Sequence, residues 1–159
     1  MPRRHLLLAV VTLCCWTAGF AGAAEPTARI HMLSGSSEYG SDVSLPKWAK
    51  RLRDDGYHVT IAQSMDEESR KNLAAADLLV VFCKRWKLSD LEIASLKAYL
   101  ASGRPVLGVR TASHAFQTYL VFDNEVLGGT YTGHSGTVDT AAVVVGQGGH
   151  PVLQGLPES

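Results

Sequence analysis

Leu78-Leu79-Val80-Val81-Phe82-Cys83 sets six apolar residues together with no polar interruption. A strand with one wet face alternates polar and apolar side chains, so an unbroken run predicts a strand covered on both faces, as at the centre of a parallel sheet. Downstream, Ser89 and Glu92 make a capping-box pair, while Leu91, Ala94, Leu96, Tyr99 and Leu100 supply an apolar stripe and Gly103 a left-handed stop. Together they predict a helix. Pro105-Val106-Leu107-Gly108-Val109 then reads as another buried strand, and residues 110–116 as the turn into a further helix.

Working upstream, residues 28–34 read as a first strand, closed by the polar, glycine-rich stretch 35–41. Pro46, pre-set for a first helical turn, opens a helix carrying Trp48, Ala49 and Leu52 and stopped at Gly56. Residues 57–62 make the next strand, and Ser64 with Glu67 forms a capping pair that opens a short helix toward Ala76. Residues 141–145 are expected to add a later strand. Strands alternating with helices, and apolar runs without a period of two, predict an α/β domain of three layers with a doubly wound, mostly parallel sheet. Ligands of such sheets sit beyond the carboxyl ends of the strands, near the point where strand order reverses. The loops 35–42, 84–88 and 110–116 are therefore the expected carriers of a site.

The N-terminus has the layout of a secretory signal peptide: Arg3 and Arg4, an almost wholly apolar stretch over residues 6–20, then Ala21-Gly22-Ala23-Ala24. The apolar stretch is shorter than the roughly 20 residues that span a bilayer, and cleavage is expected after Ala23, an uncleaved anchor being the alternative. Residues 1–23 are thus read as a signal peptide and 24–159 as one exported domain, periplasmic or secreted, with no stable membrane span after cleavage. Loss of Arg3 and Arg4 leaves 13 basic residues against 15 acidic ones, a net charge of −2, which gives nothing to attract nucleic acid. Cleavage also leaves Cys83 as the single cysteine, so no intramolecular disulfide can form and packing must hold the core.

Three stretches occur in a distinctive order: Gly108-Val109-Arg110-Thr111-Ala112-Ser113-His114-Ala115-Phe116, then Val126-Leu127-Gly128-Gly129-Thr130-Tyr131 with Gly133-His134, then His150-Pro151-Val152-Leu153 with Gly155. On these the chain resembles the ThuA-like family, named for trehalose utilisation, from about residue 28 to its end. The resemblance implies a flavodoxin-like fold akin to the class I glutamine amidotransferase domains, and a carbohydrate, a sugar or keto-sugar, as the small-molecule ligand. It also implies that the domain continues beyond Ser159. One departure matters. Where the amidotransferases have Gly-x-Cys-x-Gly, this chain has Gly108-Val109-Arg110-Thr111-Ala112. A guanidinium can neither attack a carbonyl nor be deprotonated to do so, which argues against glutaminase chemistry.

Arg110, Thr111, Ser113 and His114 lie where a strand gives way to a helix, so a fixed charge, backbone N–H groups and an imidazole converge there. His114, Glu38 and Arg110 are the candidate catalytic groups: His114 or Glu38 to move a proton, Arg110 to stabilise developing negative charge. Tyr39, Thr111, Ser113 and His134 are the candidate substrate-binding residues. The alternative is a capping role for Thr111 or Ser113, a packed His114, an ion-paired Arg110 and a solvated 38–39 loop, which would leave a non-catalytic binding module. His114, His134 and His150 lack the spacing of a zinc motif, so no cofactor is required, although a divalent metal at these residues remains open. Asp123 and Glu125 rank below these. Lys84, Arg85 and Lys87 around Trp86 offer an indole for stacking a sugar ring or simply a solvated basic stretch, and His31 and His58 are expected to pack within strands.

Overall fold

The computed structural model describes residues 27–133 and 149–155. Its sheet has four strands, β1 (Arg29–Gly35), β2 (His58–Ala62), β3 (Leu78–Cys83) and β4 (Val106–Gly108). All pair in parallel in the order β2-β1-β3-β4. Helices α1 (Ser41–Asp54), α2 (Glu67–Ala75) and α3 (Asp90–Ala101) connect them. The chain winds outward from β1 to β2, crosses β1 to reach β3, and continues to β4, the flavodoxin-like, doubly wound arrangement expected of the sequence. Strand order reverses between β1 and β3.

The apolar run in β3 has the cause inferred for it. Val80 and Phe82 pack with Ile30, Met32, Leu45 and Ala49 on the α1 side. Leu79, Val81 and Cys83 pack with Leu33, Leu73, Leu96 and Tyr99 on the α2 and α3 side. Both faces of the strand are therefore dry, and no position could be polar without a partner. His31 meets that condition: it is fully buried, with Nδ1 2.7 Å from Thr60 Oγ1 and Nε2 3.0 Å from Ser69 Oγ. His58, by contrast, is exposed on the outer strand β2, so its expected packing role does not hold.

Several boundaries also move. Helix α1 begins at Ser41 rather than at Pro46, because Gly40 turns the chain with φ 73° and the Ser41 hydroxyl accepts from Ser36 N at 2.8 Å. Pro46 lies within the helix on its exposed side, where one i to i−4 bond is forgone. Helix α2 is capped by Asp66, which accepts from Ser69 N at 2.9 Å, while Ser64 only donates to that carboxylate at 2.7 Å. The capping box at Ser89 and Glu92 opens α3 as expected. Leu91 and Ala94 are exposed, because Leu91 lies about 140° around the helix from the buried Leu96. Ile93 packs inward instead.

Beyond β4 the expected helix is a 3-10 turn, Arg110–His114. The carbonyls a longer helix would use are taken by the segment after β3: Arg85 N donates to His114 O at 3.0 Å and Trp86 N to Ala115 O at 2.7 Å. A π-helical turn, Asp123–Leu127, follows. The expected signal segment, residue 134 and the strand at 141–145 lie outside the described residues. Among the described residues no helix is long and apolar enough to cross a membrane.

Candidate functional site

The three loops singled out in the sequence meet at the carboxyl edge of the sheet, on either side of the β1/β3 reversal. What joins them is a buried hydroxyl network. Thr111 Oγ1 donates to Cys83 O at 2.7 Å and shares a hydrogen bond with Ser36 Oγ at 3.1 Å, so one side chain ties the ends of β3 and β4 to the loop after β1. Ser41 extends the network to Ser34 at 3.2 Å. Thr111 is buried with its hydroxyl engaged in this brace. Thr111→Val is expected to cost about 1–2 kcal/mol by leaving a carbonyl and a hydroxyl unpaired in the interior. Denaturant unfolding measures that loss; weakened ligand binding at unchanged stability would instead return Thr111 to the ligand.

Trp86 is placed by the same seam. Its indole lies against Gly35, where a Cβ would stand 2.0 Å from Nε1. The ring is half-buried against the core, with its Nε1 edge over Gly35. Cys83 is buried, and burial pushes its thiol far above the ordinary value, which leaves it inert as a nucleophile.

On the rim, Glu38 and Tyr39 occupy a 3-10 turn, Ser37–Tyr39, directly after β1. Lys84 pairs with the Glu38 carboxylate and holds it below the usual carboxylate range. The Lys84 ammonium lies 5.1 Å from the centre of the Tyr39 ring, and the Arg110 guanidinium 4.4 Å from the same ring. Arg110 adopts φ 51°, a left-handed conformation costly for a residue with a side chain. It presents a fixed cation to the rim.

Beside this cluster opens a cleft of about 390 Å³, walled by Ser113, His114, Phe116, Tyr119, Asp123 and Tyr131 and edged by Arg85. The His114 ring stacks on Tyr131 with centroids 4.4 Å apart, and Ser113 Oγ lies 3.2 Å from His114 Nδ1. Burial lowers the His114 pKa below its ordinary value, helped by the cations of Arg85 and Lys84 and opposed by Asp123 and Glu38. At neutral pH the ring is an uncharged imidazole, with Nε2 left without a hydrogen-bond partner among the described residues. Such a group can accept a proton or a hydrogen bond from a ligand.

The structure thus gathers His114 and Ser113 in the cleft, and Glu38, Tyr39 and Arg110 in an adjoining cluster on the same rim. His134 lies outside the described residues. Among the described residues no three His, Cys, Asp or Glu side chains stand close enough to hold a metal ion, and His150 lies next to the turn Pro151–Leu153. Asp123, ranked low in the sequence, and Tyr131, not singled out there as a site residue, shape the cleft. Asp123 is buried, accepts Tyr131 N at 2.5 Å, and stands where a Cβ on Gly129 would come within 2.9 Å. It holds the Tyr131 loop over His114. Tyr131 itself showed only as part of a motif. The proximity of Gly129 to a carboxylate six residues earlier is a tertiary fact with no periodic signature. Comparison of the chain with protein-family models, with curated proteins and with solved structures finds no match.

Proposed function

We propose that this is an exported, ThuA-like domain that binds a sugar or keto-sugar in the His114 cleft and moves a proton on it. The observation that carries the reading is His114: an uncharged imidazole with a free nitrogen, braced on an aromatic ring, at the carboxyl edge of a parallel sheet. Tyr131 offers the amphipathic surface that a sugar's C–H face packs against, and Ser113 a hydroxyl to pair with its oxygens. Glu38 is ionised beside Lys84 and so serves as a base or a charge, not as a proton donor at neutral pH. Arg110 supplies fixed positive charge for an enolate or alkoxide that develops when the proton leaves. The sugar assignment rests on the order of the three sequence motifs.

Purified full-length chain assayed with trehalose, its 3-keto derivative and related glycosides tests the reading. His114→Ala is expected to lower turnover by roughly 10²–10⁴. Because the basic form is the active one, the rate falls as pH drops through the His114 pKa, and the acid limb should lie below the ordinary histidine value of 6.5. Turnover unchanged in both His114→Ala and Glu38→Ala would remove these residues from the chemistry. A second reading, a non-catalytic binding module, is favoured by the pairing of Glu38 with Lys84 and of Arg110 with Tyr39, which occupies two of the three candidate catalytic groups. Calorimetric binding without turnover of any bound compound selects it.

A further inference from the structure

Among the described residues, the non-glycine residues with positive φ are Arg85 at 56° and Arg110 at 51°. Each lies two residues past the end of one of two paired neighbouring strands, β3 and β4 respectively. Left-handed backbone costs a side-chain-bearing residue of order 1 kcal/mol or more, and glycine would remove that cost at either position. Two arginines in this conformation on adjacent loops therefore point to what the guanidinium groups do there. Neither forms an ion pair with a carboxylate among the described residues, whereas Lys84, on the same rim, is paired to Glu38. Arg85 edges the cleft, and the Arg110 guanidinium lies over the Tyr39 ring, 4.4 Å from its centre, held by a ring rather than by a countercharge. The carboxylate inside the cleft, Asp123, is committed to Tyr131 N. Among the described residues the rim thus carries three cations around the carboxylate of Glu38, which is paired to Lys84 and feels Arg85 only at longer range.

We propose that this rim is an anion subsite in which Arg85 and Arg110 bind a carboxylate or phosphate of the ligand, so that the substrate class is an acidic sugar and not a neutral one. The inference builds on the sugar-binding reading above and names the substrate class for that site. Guanidinium groups suit the task because their paired N–H donors match the two oxygens of a carboxylate or phosphate.

Calorimetry on the full chain with glucose, glucuronate and glucose 6-phosphate, and separately with acetate and inorganic phosphate, tests it. An acidic sugar should bind roughly tenfold or more tighter than glucose, the acid and the phosphate arms showing which anion is preferred. That margin should shrink as salt rises from about 50 to about 500 mM. Arg85→Gln and Arg110→Gln should each erase the preference, whereas Arg51→Gln, on the outer part of α1, should leave both the preference and glucose binding intact. Arg110→Gly guards against a folding artefact, since glycine accepts φ 51° and should fold at least as stably, yet it too must lose the preference. Equal affinity for glucose and both acidic sugars, or a preference that survives the arginine variants, overturns the anion subsite while leaving the sugar site standing. Arginine-dependent binding of acetate or phosphate with no sugar bound does the reverse. No binding of any probe ends both.

Discussion

Gly35→Ala should destabilise the domain by about 3 kcal/mol and lower its melting temperature by roughly 10 °C. The added methyl would stand 2.0 to 2.4 Å from three atoms of the Trp86 indole, well inside any contact that atoms tolerate. Trp86 has little room to yield. Its backbone N–H donates to Ala115 O, its backbone carbonyl accepts from Gln117 N at 2.8 Å, and the residue is bridged to Phe116. With the backbone fixed there, the clash is relieved either by turning the indole out of its half-buried place or by shifting the seam between the post-β3 and post-β4 segments, which carries the cleft wall at Phe116. Trp86→Ala costs stability by itself, but in the Gly35→Ala background it should cost far less, because the clash has gone. A double-mutant cycle by denaturant unfolding measures that coupling. Independent, additive effects of the two substitutions would show that the ring does not rest on Gly35.

Acid should weaken the fold well above the carboxylate range, through His31. Burial lowers its pKa from 6.5 to about 4, with the Asp66 carboxylate opposing. The unfolded chain takes up a proton on this ring at about pH 6.5 and the folded chain only near pH 4, so the unfolded state binds more protons between those values. Stability is accordingly full above pH 6.5 and is lost as pH falls toward 4, by about 3 kcal/mol in all. His114 acts with the same sign, because its pKa is lowered too, while Glu38 and Asp66 give up their stabilisation only at lower pH, as they protonate. His31→Gln keeps a side chain able to bond Thr60 and Ser69 but does not titrate. It should be less stable than the parent at pH 7 and show a flatter stability profile from pH 6.5 to 4. An unchanged profile would place the acid sensitivity elsewhere.

The two predictions separate what could be read along the chain from what could not. The six residues of β3 announce a central strand because hydration forbids a polar side chain on either face, and that is a local statement about each residue. Ser89 with Glu92, and Gly56 and Gly103 after their helices, are likewise local: a cap is a hydrogen bond between residues three apart, and a stop is one residue's φ. The placing of the site loops at one edge follows as well, because parallel strands must all end on the same side. Where local rules compete, the reading slipped. Asp66 outbid Ser64 for the α2 cap, Gly40 and Ser41 started α1 before Pro46, and Leu91 proved to lie off the buried stripe of α3.

The alternation of strands and helices, the covered centre of the sheet, and the edge on which Arg110, Ser113, His114, Glu38 and Tyr39 gather were thus determined by the sequence alone, through short-range sterics and the cost of wetting apolar groups. Only the folded chain decided that Thr111 braces three loops, that Trp86 rests on Gly35, that Asp123 holds Tyr131 over His114, and that Arg85 and Arg110 form no ion pair among the described residues. Each of those depends on groups eight to 75 residues apart meeting at a few ångströms, or on a cation meeting no carboxylate among the described residues. Through-space contacts of that kind leave no periodicity in the chain.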